Sequence, residues 1–373
     1  MHFREKGSHT MNSKPDVYKE LQRHLDKMPV GYPATASGVE LRLLKFLFTP
    51  EQAEIALGLD HKFRTAVQIH ERVKNLGISP DELETRLEEM VEKGNTFRKK
   101  KDGAKVYASV PLVIGMLELQ GSQLPLDVLQ DINQYFQEGF AAEYVSTKIP
   151  QTRVIPVRKS ITAEHRIGTY DELKDLIEKA GDRIRIGECM CRNLMRKVGQ
   201  TCKATARQET CMAFRDFADL AGKKGWGRPI SKEQALEIAS KNEEDGLVLQ
   251  PANEQEPEFI CSCCGDCCGI LRMAKAMPRP VDVFASNYYA LGNPEICVGC
   301  GTCGDRCQMD AVSLQDEIAV VNRDRCIGCG LCVSTCPSGA IHLVTKAKEL
   351  VPPKDMEALY ETIMMHKQTT GLL

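Results

Sequence analysis

Residues 297–307 read CVGCGTCGDRC, four cysteines spaced C-x2-C-x2-C-x3-C, and residues 326–336 read CIGCGLCVSTC with the same spacing. Each cysteine of the first run has its counterpart 29 positions later, and the match continues beyond the cysteines, with Ala311-Val312 against Ala340-Ile341. The segment is therefore an internal duplication. Between the runs, VSLQDEIAVVNRDR alternates as two strands around a turn, and AIHLV repeats a strand after the second run.

The whole chain carries 17 cysteines in 373 residues. Its N-terminal MHFREKGSHT lacks the apolar centre of a secretory signal, and no apolar run reaches the roughly 18 residues of a membrane-spanning helix. A cytoplasmic protein with no membrane span is expected. In that setting an odd cysteine count with repeated CxxC spacing points to metal ligation by thiolates rather than to disulfides. Hydrophobic residues at 42% and charged residues at 27% allow two or three globular domains, and a net charge of −2 supplies no global field for nucleic acid.

The duplicated segment resembles the bacterial two-cluster ferredoxin, whose two loops and short helices enclose a pair of [4Fe-4S] cubanes on soft thiolate ligands. The resemblance implies a βαββαβ unit over residues 276–346. It also implies that the fourth cysteine of each run serves the other cluster. Cluster one would then take Cys297, Cys300, Cys303 and Cys336, and cluster two Cys326, Cys329, Cys332 and Cys307. Pro337 follows the second run as in that family, whereas Gln308 stands at the matching place of the first, adding a side-chain donor near one cluster and removing a rigid turn. Zinc held by paired CxxC knuckles is the alternative, disfavoured by the third cysteine and the x3 spacing in both runs.

Two further cysteine groups precede this unit. GECMCRNLMRKVGQTCKATARQETCMAF carries Cys189, Cys191, Cys202 and Cys211, enough for a third centre, with Arg192, Arg196 and Lys197 alongside to offset thiolate charge. Zinc fits the same count, although C-x-C is not the usual knuckle. Residues 261–269, CSCCGDCCG, hold Cys261, Cys263, Cys264, Cys267 and Cys268, one more thiol than a cubane needs. Either four of the five hold a fourth centre, or some join Cys189–Cys211 around one shared centre, which need not be a cubane. A redox-sensing or metal-storage tract is the plainer alternative. The order CxCR, two single cysteines, CxCCxxCC and a ferredoxin unit resembles multi-cluster ferredoxin-like proteins of anaerobes, which implies electron transfer.

The N-terminal part reads as helices followed by a hairpin. SPDELETRLEEMVEKGN starts with Ser79 and Glu82 at capping-box spacing and Pro80 at the first helical position, and puts Leu83, Leu87, Met90 and Val91 on one face. TFRKKKDGAKVYASV then forms two strands around Asp102-Gly103. With the helical stretches before it, this pattern resembles a winged helix-turn-helix domain over 13–120, which implies phosphate or partner contacts at Arg98, Lys99, Lys100, Lys101 and Lys105. Glu82, Glu84, Glu88 and Glu89 on the preceding helix would repel a DNA backbone, so protein contact is the favoured reading.

Residues 1–12 read as a tag or flexible N-terminus, and 121–160, with Pro125, Pro150 and Pro156, as a connecting region. The cysteine-rich α+β domain spans 161–275. Within it, a helix with Thr169 and Glu172 at capping-box spacing stops at Gly181, and a second runs from Ser231 with Ala235, Ile238 and Ala239 on one face. The 347–373 tail offers Met356, Leu359, Tyr360 and Ile363 at helical spacing as a candidate docking helix. No GxGxxG or GxxxxGK[ST] motif marks a nucleotide or flavin site. His165 and His342 read as surface or core residues, and Trp226 as a packing or docking residue.

The expectation is a multidomain α+β protein with no catalytic residue assigned. It would relay single electrons to or from a flavin- or metal-containing oxidoreductase, through two [4Fe-4S] clusters and one or two further iron-sulfur clusters, with zinc in the middle domain as the alternative cofactor. The alternatives in function are a redox-responsive winged-helix DNA-binding regulator and a small-substrate reductase with its site at the middle centre.

Overall fold

A computed structural model of the chain describes residues 16–162 and 171–372. The proposed tag, His165 and Thr169 lie outside the described residues. The protein mixes helix and sheet, and the order of elements follows from local sequence signals.

Five helices open the chain: α1 (Val17–Leu25), α2 (Val39–Leu47), α3 (Pro50–Ala56), α4 (Ala66–His70) and α5 (Pro80–Lys93). Thr49 and Thr65 each close a full capping box, which is why the run 39–56 breaks into two helices and why α4 starts where it does. At α5 the Ser79 side chain accepts from the Glu82 amide, Gly94 ends the helix at φ 83°, and the expected face is buried. The hairpin β1 (Thr96–Lys101) and β2 (Ala104–Ser109) turns on Asp102-Gly103, both at positive φ, as a tight two-residue turn requires.

Residues 121–160 are expected to be connection, but the structure builds a helical run there: α6 (Leu126–Tyr135), a π turn at Phe136–Phe140 and α7 (Ala141–Ser146). Val128, Leu129, Ile132 and Tyr135 supply its buried stripe.

The middle of the chain forms a five-stranded antiparallel sheet in the order β5-β3-β4-β7-β6, made by β3 (Ile184–Glu188), β4 (Glu209–Phe214), β5 (Arg228–Pro229), β6 (Val248–Pro251) and β7 (Phe259–Cys263). Helices α8 (Leu173–Ala180), α9 (Met190–Lys197), α10 (Arg215–Lys223), α11 (Lys232–Glu244) and α12 (Gly269–Ala276) alternate with these strands. Helix α8 begins at Leu173, with Glu172 at its N-cap and no side-chain cap there. At α11 the Ser231–Gln234 box is complete. Trp226 lies against Gly187, where an added Cβ would meet the indole at 2.2 Å, and donates from Nε1 to the Glu188 carbonyl at 3.2 Å. It is a packing residue of the β3 edge.

Toward the C-terminus, β8 (Tyr288–Gly292) pairs with β11 (Ile341–Thr345), and β9 (Val312–Gln315) pairs with β10 (Ile318–Val321). The first cysteine run makes one helical turn, α13 (Thr302–Asp305). The expected second helix is a series of turns instead, and there the Leu331 carbonyl accepts from the Ser334 and Thr335 hydroxyls, which compete with the main chain for it. His342 is exposed on β11.

The closing helix α14 (Met356–Thr370) buries Leu359, Tyr360, Ile363 and Lys367 against its own chain. The face expected to dock a partner is already occupied. Among the described residues no helix is long and apolar enough to cross a membrane.

Candidate metal centres

The two cysteine runs fold so that their thiols separate into two cavities. Cys297, Cys300 and Cys303 line one together with Cys336, under Val298, Leu314 and Ile341. Cys326, Cys329 and Cys332 line the other together with Cys307, under Ala290, Met309 and Leu331. Each fourth cysteine thus sits with the other run. Main-chain amides point at the sulfurs: Ala319 to Cys297 at 3.4 Å, Ala311 to Cys307 at 3.2 Å and Ala290 to Cys326 at 3.3 Å. Burial pushes the Cys329 thiol up to about 12, so a free thiol there would stay protonated and only a bound cation would make thiolate favourable. Four thiols in an apolar shell, with amide donors on their sulfurs, are the donor set that a [4Fe-4S] group requires. Cys300 is exposed, whereas Cys326 and Cys332 are buried.

The nine middle cysteines divide differently from their order in the sequence. Cys189 caps α9 and Cys191 lies in its first turn; Cys268 caps α12; Cys211 is on β4; Cys261 and Cys263 are on β7. Residues two apart on a strand share a face, so Cys261 and Cys263 point together while Ser262 turns away to hydrogen-bond Asn242. The six thiols form a closed ring of neighbours that act electrostatically on one another: Cys189 with Cys191 and Cys211, Cys211 with Cys261, Cys261 with Cys263, Cys263 with Cys268, and Cys268 with Cys191. Two helix N-termini at the ring favour thiolate charge.

Cys202, Cys264 and Cys267 stay outside the ring and meet Asp266, with their ligand atoms all within 4.8 Å of one another. The nonapeptide CSCCGDCCG therefore feeds two sites, three thiols to the ring and two to the smaller group. Cys202, expected with Cys189, Cys191 and Cys211, here lies beside Cys264, Cys267 and Asp266. Asp266 is a site residue that cysteine spacing does not reveal; its place between two CC pairs is the only signal.

Arg192 is buried between the two groups. Its Nη1 donates to the Thr210 hydroxyl at 2.7 Å and its Nη2 to the Ser262 carbonyl at 2.7 Å, while its charge bears on Cys189, Cys211 and Cys264. The Cys264 thiol is brought down to about 7 by a hydrogen bond with Cys267 and by Arg192, against burial. The other two cations expected there turn elsewhere, Arg196 to Asn193 and Lys197 to the Leu124 carbonyl.

Gln308 joins the halves of the protein. Its side-chain oxygen, one residue beyond Cys307, accepts from the Gly265 amide at 2.7 Å, between Cys264 and Cys267. A Cβ at Gly265 would meet the Gln308 carbonyl oxygen at 2.4 Å, so the approach requires glycine.

The basic hairpin is largely committed within the chain. Arg98 pairs with Glu88 at 3.2 Å, Lys105 with Glu84 and Glu88 at 3.2 Å, and Lys99 lies 3.8 Å above the Phe63 ring. Lys100 and Lys101 are exposed. The acidic residues of α5 thus offset the cations that a phosphate backbone would need.

A cavity of about 170 Å³ lies between this hairpin, the sheet and α14, lined by Phe97, Tyr144, Phe217, Glu254 and Tyr360 among others. Among the described residues the buried Tyr144 and Thr152 hydroxyls on its wall have no hydrogen-bond partner, and burial, reinforced by Cys268 and Cys261, raises Tyr144. Burial, reinforced by Glu258, pushes the Glu254 carboxyl up to about 8. The folded state then binds a proton there that the unfolded state releases near pH 4.5, so stability falls as pH rises from about 4.5 toward 8. Glu254→Gln is expected to remove that slope and to raise stability above pH 8 by a few kcal/mol, because each tenfold change in proton affinity between the two states is worth ~1.4 kcal/mol. Amide-exchange protection of the segments around Glu254, corrected for the intrinsic pH dependence of exchange and followed across the pH range, reads the effect.

Residues 290–343 match the family model of the 4Fe-4S dicluster domain. No curated protein and no solved structure matches the chain. With the two cysteine-lined cavities, the match supports an iron-sulfur, ferredoxin-like protein over this segment and, with it, iron-sulfur electron transfer.

Proposed function

We propose that the protein is an electron-transfer subunit in which two ferredoxin-type [4Fe-4S] centres exchange single electrons with a third iron-sulfur centre held by Cys189, Cys191, Cys211, Cys261, Cys263 and Cys268, on behalf of a partner flavin- or metal-containing oxidoreductase. The observation that carries this reading is the Gln308–Gly265 hydrogen bond, which ties the residue after Cys307 to the loop running between Cys263 and Cys268, two thiols of the ring. When bound, the clusters supply one-electron chemistry, at about −400 mV in plant-type ferredoxins and over a much wider range in general.

The chain's own residues set the conditions. Amides of Ala290, Ala311 and Ala319 hold the sulfurs and stabilise negative charge on them, and Arg192 does so at the ring. Exposed Cys300 marks the face open to a redox partner, while Cys326 and Cys332 are shielded.

Gln308→Leu keeps the volume and removes the acceptor, leaving the Gly265 amide without its partner at a cost of ~1–3 kcal/mol. Freeze-quenched paramagnetic resonance after reduction should show both ferredoxin clusters intact and electron arrival at the ring slowed. Unchanged arrival would remove the seam from the path.

A second reading, reduction of a small apolar substrate beside the ring, is favoured by the Tyr144 cavity. Substrate-dependent oxidation of the reduced protein without a partner, abolished by Tyr144→Phe, would support it over the relay.

A further inference from the structure

We propose that Cys202, Cys264, Cys267 and Asp266 form a site for one tetrahedral divalent metal ion, zinc or ferrous iron, distinct from every iron-sulfur centre of the chain. The spacing of the donor atoms points to one ion. Four ligands around a tetrahedral ion at a metal–sulfur distance of about 2.3 Å put neighbouring sulfurs about 3.8 Å apart, and a sulfur and a carboxylate oxygen about 3.6 Å apart. Here Cys202 Sγ and Cys264 Sγ are 3.6 Å apart, and Cys202 Sγ and Asp266 Oδ1 are 3.9 Å apart. A cubane puts each thiolate on its own iron at a separate corner, which needs wider spacing. Among the described residues no other group of three or more His, Cys, Asp or Glu side chains gathers its ligand atoms within the same 4.8 Å, and the ferredoxin quartets are described residues.

The carboxylate is also aimed. Asp266 Oδ2 accepts from the Lys203 amide at 2.6 Å, which turns Oδ1 toward the sulfurs, as a fixed outer contact does for a metal ligand. Arg192 adds a buried positive charge against Cys264, which suits a site whose three thiolates and one carboxylate exceed the charge of a divalent ion. Four protein ligands close the site, the arrangement of a structural ion. The ion would fasten the 202–205 loop to the Cys264–Cys267 turn, directly beside the Gln308 contact.

The proposal stands without the relay, and its test reads metal rather than electron transfer. Full-length protein purified anaerobically with its clusters is analysed for iron, zinc and acid-labile sulfide, beside the Cys202→Ser and Asp266→Asn variants. The expected Cys202→Ser result is the loss of one metal ion per chain with no loss of sulfide and with ferredoxin resonance signals unchanged. Loss of about four irons together with about four sulfides would place a cubane there and overturn the proposal. An unchanged metal content would overturn it equally. The Asp266→Asn variant covers the case in which Cys202→Ser does not fold: after exchange of the ion for cobalt(II), its visible ligand-field bands should shift from those of the parent, and superimposable bands would exclude Asp266 as a ligand. The zinc and iron counts decide which ion the cell supplies.

Discussion

Replacing Cys307 by alanine is expected to remove about four irons and four sulfides from the Cys326, Cys329 and Cys332 site while leaving the Cys297, Cys300 and Cys303 site loaded. Chain order suggests the opposite, since Cys307 is only four residues beyond Cys303. The folded chain decides otherwise, because Cys307 opens onto the cavity of the second run and Cys336 onto that of the first. Pairwise variants make the distinction independent of how each cluster is identified. Cys307→Ala with Cys326→Ala should lose no more iron than either alone, since both empty one site, whereas Cys307→Ala with Cys297→Ala should lose about eight irons. Additivity in the reverse pattern would mean that each run keeps its own fourth cysteine.

The second large effect lies far from the clusters. Lys367 on α14 is 2% exposed; its ammonium donates to Glu143 at 2.6 Å and to the Met28 carbonyl at 3.1 Å, and the same Glu143 oxygen accepts from the Gly31 amide at 2.9 Å. One cation thus joins the C-terminal helix, α7 and the turn after α1. Lys367→Met leaves the Glu143 carboxylate without its counter-ion in a largely buried place, at a cost of ~3–5 kcal/mol. Because several metal centres make global unfolding a poor two-state process, local opening is the better readout. Amide exchange over 356–370 should quicken on the order of 10²- to 10³-fold in Lys367→Met, and adding Glu143→Gln should recover part of the loss. Equal exchange in all three proteins would mean that the apolar contacts of Leu359, Tyr360 and Ile363 alone hold the helix.

What can be read from the sequence is what depends on neighbours along the chain. The caps at Ser79 and Ser231, the Asp102-Gly103 turn and the period-29 cysteine runs are local devices, and each stands where its spacing puts it. The division of the middle cysteines is not legible, because it is made by pairing. Strand β4 meets β7 in antiparallel register, Met212 opposite Ile260, and this brings Cys211 to Cys261 across a gap of 50 residues. The alternation C-S-C within β7 is the available clue that Cys261 and Cys263 share a face and that Cys264 begins a different site. The 126–146 helical run hides behind its flanking prolines, although its stripe of Val128, Leu129, Ile132 and Tyr135 has helical period. Gln308 stands out as a departure from the repeat, but its partner Gly265 can be found only in the folded chain.

Iron and acid-labile sulfide counted per chain under strict anaerobiosis, with paramagnetic resonance followed during stepwise reduction, would test the central proposal directly, that the ferredoxin unit serves a third centre in the ring of six thiols. The expected result is about 12 irons or more, matched by sulfide apart from any single ion at Asp266, and a third signal that interacts with the ferredoxin pair. About 8 irons, with the ring thiols free to react with a thiol reagent, would contradict it.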